Sequence, residues 1–338
     1  MSIYDYLERY AKSRFHTPGH KGRLNALDIT EIPDEFPLNL ISEAEKKTAE
    51  LYGADNIRYL VGGSSVGMKA ALLAVGGDIV SEHYRHACVD EGAALASVSV
   101  HTISKTTLTG GDGLPLLPTA DDVKDALKIS SAAAAVIQYP DYYGRCVDIK
   151  SIYAAVRSLG KLLIVDSAHG AHFAFRPDLF PVSATLASDA CNLSAHKTLS
   201  AYTQTAYLAF GVKMSNLGVD DALKNLGTTS PNYVFLAQLE KAADDAAAGK
   251  SDYDRLKIAS DRIRAHMRTL DNGDFTRLVV DCRACGGGKS VYRALYENGV
   301  SAEKYDENYV VFILTPADTD EDLENLLGTL KRLTGNGK

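Results

Sequence analysis

Three stretches of the chain hold residue types that could do chemistry together. "NLSAHKTLSAYTQTAYL" (192–208) sets Lys197 among hydroxyls at the start of an apolar run. An amine beside a buried strand end loses hydration, becomes less basic and turns into a usable nucleophile. "KLLIVDSAHGAHF" (161–173) ends an apolar run on Asp166, a carboxylate that must be paired or hydrogen-bonded if it is buried. "LVGGSSVGMKAALLA" (60–74) turns a strand into a helix through glycine and serine. Its amides and the Ser64 and Ser65 hydroxyls suit an anion at a helix N-terminus.

Each stretch also has a plainer explanation. Gly-Gly-Ser-Ser serves as a tight turn and N-cap, and it has neither the Walker lysine nor a dinucleotide fingerprint. Asp166 could cap the next turn, His169 and His172 could be satisfied core histidines, and Lys197 could snorkel to the surface. Taken in order, however, an anion nest, a buried carboxylate and a later lysine on an α/β sheet are what pyridoxal phosphate requires. The lysine binds the aldehyde, the carboxylate keeps the pyridine nitrogen protonated, and the nest holds the phosphate.

The elements that must position these residues follow from periodicity. From Asn56 onward, short apolar runs ("IRYLV", "GDIV", "VSVHTI", "AAAVIQYP", "KLLIVD") alternate with helix-period stretches such as "DIKSIYAAVRSLG". "DACNLSA" and "TAYLAFG" add two strands around Lys197. The expected fold is α/β, a mostly parallel sheet sandwiched by helices, with ligands at the carboxyl ends of its strands. Residues 1–50 read as an arm with loops at "FHTPGHKGR" and "DEFPLNL", and 51–250 as the large domain. Residues 251–338 read as a linking helix and a small α+β domain with strands at "FTRLVVDCR", "VSAEKY" and "NYVVFILT".

Composition excludes other classes. The 338 residues are 46% hydrophobic and 23% charged, the balance of a globular enzyme. A net charge of −7 with no basic run argues against nucleic acid. No apolar stretch nears the roughly 20 residues that span a bilayer, and the start lacks a signal-peptide core. Five scattered cysteines read as reduced thiols in a cytoplasm. Cys282 and Cys285 form one C-x-x-C with no second pair, so no metal site is expected.

Longer motifs carry a resemblance. "FHTPGHKG" (15–22), "YPDYYGRCVDI" (139–149), "DSAHGAHF" (166–173), "SAHKTLSAYTQ" (194–204) and "GTTSPNY" (227–233) occur in the order of the Orn/Lys/Arg decarboxylase family. The chain resembles that family, fold type I pyridoxal-phosphate enzymes of the aspartate aminotransferase superfamily, from about Phe15 to about Ala243. The resemblance implies that Lys197 forms the Schiff base and Asp166 faces the pyridine nitrogen. It implies that His169 supports that aspartate and the ring oxygen, and that His86 stacks on the ring. It gives phosphate-binding positions at Ser64, Ser65, Ser194 and His196. It also places Thr229 and Ser230 at a neighbouring subunit's phosphate, hence a homodimer with shared active sites.

The implied activity is decarboxylation of lysine, arginine or ornithine to the amine, as in polyamine metabolism. Aminotransfer, β-elimination or a catalytically silent regulatory relative are the alternatives. The chain departs from the family pattern at Ser167, where a glutamate is usual, at Ala87-Cys88 after His86, and at Gly62. It is also short, without the receiver-like wing or large carboxy-terminal domain of longer members. Asp28 and Glu31 are the candidate acids for a cationic substrate side chain.

Overall fold

The computed structural model describes residues 1–10, 13–30 and 39–334. Glu31, most of "DEFPLNL" and the last four residues lie outside the described residues. Seven strands form the large sheet: β1 (Asn56–Leu60), β2 (Ile79–Ser81), β3 (Val100–Thr102), β4 (Ala134–Gln138), β5 (Leu162–Asp166), β6 (Ala190–Leu193) and β7 (Ala206–Phe210). Their order is β1-β7-β6-β5-β4-β2-β3, and β7 alone runs antiparallel to its neighbours.

Successive residues of the central strands feed two different cores. Leu163 and Val165 of β5, with Ala135 and Ile137 of β4, join one cluster that includes Val123 and Ile152 of the covering helices. Ile164, Ala134 and Val136 join the other, which includes Met68 and Val89. This alternation is the strand's period of two, and it explains why the strands read as unbroken apolar runs rather than alternating ones.

A second sheet of three antiparallel strands, β8 (Arg277–Asp281), β9 (Lys304–Tyr305) and β10 (Tyr309–Ile313), is ordered β8-β10-β9. Val310 pairs with Val280 and Val311 with Val279, and the helices Gly288–Glu297 and Asp320–Thr334 accompany the sheet. "VSAEKY" shrinks to a two-residue strand, because its partner β10 pairs with it only at Lys304 and Tyr305. The N-terminal helix Ile3–Arg9 docks on the helix Tyr233–Ala248, where Glu240 accepts the Ile3 amide at 2.8 Å. No helix among the described residues is long and apolar enough to cross a membrane.

Candidate active site

The carboxyl ends of β4, β5 and β6 lie level. Gln138 is in register with Asp166, and Asp166 with Asn192. Parallel pairing therefore lines three polar side chains along one edge, where an α/β sheet leaves its crevice.

Asp166 is 7% exposed, and its Oδ1 accepts the Ala168 amide at 3.2 Å. Capping is thus part of its environment. Burial raises its pKa, against the Ala168 hydrogen bond and the charges of Lys197 and His86. Such a carboxylate favours a cationic partner.

Lys197 sits in the single turn Ala195–Thr198 directly after β6. Burial lowers its pKa most, and Arg277 adds to that, while Asp166 and Glu303 oppose. Its Nζ lies 3.4 Å from His169 Nε2. His169 is buried, with Tyr142 set edge-on against its ring at 5.0 Å. On its other side, Nδ1 receives Arg277 Nη2 at 2.8 Å. Burial first, and then the Arg277 charge, hold its pKa well below the ordinary histidine value.

The glycine-serine turn opens the helix Ser64–Val75, with Gly63 as N-cap at φ 80°, a left-handed conformation that glycine adopts without strain. Ser194 donates to Ser64 at 2.8 Å. Asn192 is buried, and neither polar atom of its side chain has a hydrogen-bond partner among the described residues. Gly67 packs so closely that a Cβ there would lie 2.5 Å from Asn192 Oδ1. An orphaned amide beside a helix N-terminus fits an anionic group that arrives with its own acceptors.

His86 caps the helix Ala87–Ala96, its Nδ1 accepting the Cys88 amide. It borders a cleft of about 640 Å³ that runs to Asp306 and Glu307. His196 turns Nδ1 to the Thr205 carbonyl at 2.9 Å. Ser65 lies in the first turn beside Ser64, half-buried. Ser167, at the position where a glutamate is usual, is fully buried and its hydroxyl has no partner among the described residues.

Some expected residues are not brought together within the chain. Thr229 and Ser230 lie on an exposed turn, where the Ser230 amide donates to the Thr228 hydroxyl. Gly227, Thr228 and Pro231 of that turn face Val61 and Gly62 across a cleft of about 550 Å³. The helix after the turn is capped by Asn232, which accepts the Val234 and Phe235 amides. Asp28 is engaged by His20 at 3.0 Å. His172 is a core histidine, held by Asp274 and Thr276 at 3.3 and 3.2 Å. Among the described residues no group of three or more His, Cys, Asp or Glu could hold a metal.

Sequence reasoning passed over Arg277, Asn192 and Glu82. Each is a polar residue in or next to an apolar strand, the same signal that singled out Asp166. Glu82 follows β2, accepts the Gln138 amide at 2.7 Å, and is pushed by burial to a pKa of about 8.

The family model "Orn/Lys/Arg decarboxylase, major domain" matches residues 36–283. The arginine decarboxylase of Bacillus subtilis (strain 168) is 26% identical over 98% of this chain and 76% of its own length. The uncharacterized protein YaaO of the same organism is also 26% identical, over 92% of this chain and 73% of its own. Among solved structures, the constitutive lysine decarboxylase of E. coli superposes with a TM-score of 0.81 at 17% identity. The match covers 98% of this chain but only 59% of that one. A ureidoglycine-glyoxylate aminotransferase of Bacillus subtilis shares the fold at a TM-score of 0.69 and 16% identity. The family model covers well over half of the chain and spans β1 through β8, so the chain belongs to the Orn/Lys/Arg decarboxylase family.

Proposed function

We propose that the chain is a cytoplasmic, pyridoxal-phosphate-dependent decarboxylase that converts lysine, arginine or ornithine to the corresponding amine. The observation that carries this reading is the convergence of three groups. They are a half-buried lysine of lowered basicity, a buried carboxylate of raised pKa, and an orphaned asparagine at a serine-lined helix N-terminus. A cation at Asp166 would relieve the burial that raises its pKa, and a protonated pyridine nitrogen is such a cation.

In this reading Lys197 would hold the cofactor's aldehyde, and Asp166, supported by His169, would hold its ring nitrogen. Ser64, Ser65, Ser194 and His196 would hold the phosphate, and His86 would cover one ring face. Bound there, the cofactor would supply an electron sink for the pair left when the Cα–carboxylate bond breaks. Asp166 would keep a proton on the ring nitrogen by its charge. Lys197, as a poorly basic amine, can accept a proton and return it to a nearby carbon. Asp306 and Glu307 along the adjoining cleft suit a cationic substrate side chain, Asp141 being paired with Arg145 at 2.7 Å.

Residues 51–250 would then form the cofactor-binding domain, after an arm over 1–50, and 251–338 the linking helix and small α+β domain. The active unit would be a homodimer in which Thr229 and Ser230 reach the neighbour's phosphate. Their exposure and the hydroxyl-rich turn support this.

The test has two parts. Purified protein with pyridoxal phosphate is treated with borohydride and mapped by peptide mass; the adduct should sit on Lys197. The protein is then incubated with a panel of amino acids and the products are identified by mass spectrometry. Loss of CO2 from one basic amino acid supports the reading. Transamination, ammonia release or no adduct on Lys197 overturns it.

A further inference from the structure

We infer that Arg277 is a positioning residue that fixes the tautomer of His169 and so holds Lys197 as a neutral amine. Its consequence for reactivity rests on the proposed role of Lys197, while the hydrogen-bond chain itself runs between the protein's own side chains.

Arg277 opens β8 in the small sheet, is fully buried, and sends Nη2 to His169 Nδ1 at 2.8 Å. A guanidinium has donors only, so Nδ1 must be the acceptor and carry no proton. A second proton on the ring would aim an N–H at a buried cation, which is strongly unfavourable where water does not screen. The ring is therefore neutral, with its single proton on Nε2. That N–H faces Lys197 Nζ at 3.4 Å. Only a lone pair can receive it, and an ammonium has none.

The groups that act on Lys197 divide. Burial and Arg277 oppose its charged form, while Asp166, Glu303 and Cys88 favour it, and the net direction is downward. Arg277 thus acts twice, through its own charge and through the proton it forces onto His169 Nε2. Once the hydrogen bond from His169 Nε2 opens, the lone pair of the neutral amine can attack a carbonyl or accept a proton without Nζ first losing one.

The backbone around Arg277 is built to hold this reach. Gly144 packs so tightly that a Cβ there would lie 2.6 Å from Arg277 Cβ. Arg264 and Asn272 both donate to the Arg277 carbonyl, at 3.1 and 2.8 Å. The small sheet is thereby connected to the lysine through two hydrogen bonds, although Arg277 and His169 are 108 residues apart in sequence.

The experiment is two- and three-bond nitrogen–proton correlation NMR of the full chain labelled with [15N]histidine, before pyridoxal phosphate is added. The His169 signals are assigned by their loss in His169→Asn. The expected spectrum has a bare Nδ1 and a protonated Nε2, unchanged between about pH 6 and pH 9, around the ordinary histidine pKa. In Arg277→Met the ring should lose this preference, and Arg277→Lys, which keeps a charged donor, should restore it. Acylation of Lys197 at neutral pH, followed by peptide mapping, should slow on the order of tenfold in Arg277→Met, the equivalent of one pH unit in its basicity. A proton on Nδ1, or on both nitrogens at neutral pH, in the wild-type spectrum overturns the inference even if the variants fail to fold. Folded Arg277→Met with unchanged spectrum and labelling rate also overturns it. A borohydride adduct on another lysine would instead defeat the cofactor reading and leave the His169 spectrum as expected.

Discussion

The Ser194 hydroxyl donates to the Ser64 hydroxyl at 2.8 Å, joining the end of β6 to the first turn of the helix Ser64–Val75. Ser194 precedes Lys197 by three residues, so the bond ties the lysine turn to the serine-lined helix N-terminus. Ser194→Ala removes it and leaves Ser64 to find another partner. A neutral hydrogen bond of this kind contributes about 1 kcal/mol, so pyridoxal phosphate should bind about fivefold more weakly. Fluorescence titration of the cofactor reads this directly, with a thermal melt to check that the fold is intact. Unchanged affinity would separate Ser194 from the phosphate site.

Asp166→Asn keeps the side chain's shape and removes its charge. If Asp166 holds the ring nitrogen protonated, catalysis should fall by an amount on the order of 2.7–4 kcal/mol, that of losing a preorganised electrostatic partner. The measurement is kcat with saturating cofactor. Near-normal turnover would leave Asp166 with only its role as acceptor for the Ala168 amide.

Glu82 gives the protein a pH-dependent stability that does not involve the cofactor. Its carboxyl is pushed by burial from an ordinary value of 4.5 to about 8, against the hydrogen bond from Gln138. The folded chain therefore holds a proton that the unfolded chain releases above about pH 4.5. Stability from this group is complete below that value and is lost as pH rises toward 8, by about 1.4 kcal/mol per pH unit at most. Glu82→Gln, which mimics the protonated form, should flatten the decline in urea midpoint between about pH 5 and pH 8. A parallel decline in both proteins would show that Glu82 ionises freely in the folded state.

Much of this site was legible in local sequence, and the reason is physical. A carboxylate closing "KLLIVD" and a lysine beginning the run after "DACNLSA" are polar residues at the ends of strands with two buried faces. Period and composition alone identify such positions. The Asp166–Asn192 register follows from parallel pairing, yet the sequence does not mark Asn192, because amides inside strands are usually satisfied. Arg277 was harder still. "FTRLVVDCR" reads as a strand whose arginine could point to solvent, and only the docking of a second sheet turns it toward His169. The reversal of β7 was equally hidden, since a strand buried on both faces has the same apolar pattern in either direction. At the turn after Gly227, two good caps compete, Ser230 before Pro231 and Asn232 after it. Asn232 prevails by accepting two amides.

Subunit complementation tests whether Thr229 and Ser230 act across a dimer interface. Both lie on an exposed turn, and neither has a hydrogen bond to Lys197, Asp166 or Ser64 among the described residues. Lys197→Ala subunits and Thr229→Ala/Ser230→Ala subunits should each be inactive or strongly impaired as homodimers. When the two are mixed and exchanged, a shared site places both lesions at one centre of the mixed dimer and neither at the other. Mixed dimers would then regain activity toward the substrate, up to half that of the wild-type dimer. If each site is built within one chain, every centre in the mixture keeps a lesion and no activity returns. Light scattering at the assay concentration completes the test, because full activity in a monomer would exclude a contribution from a neighbour.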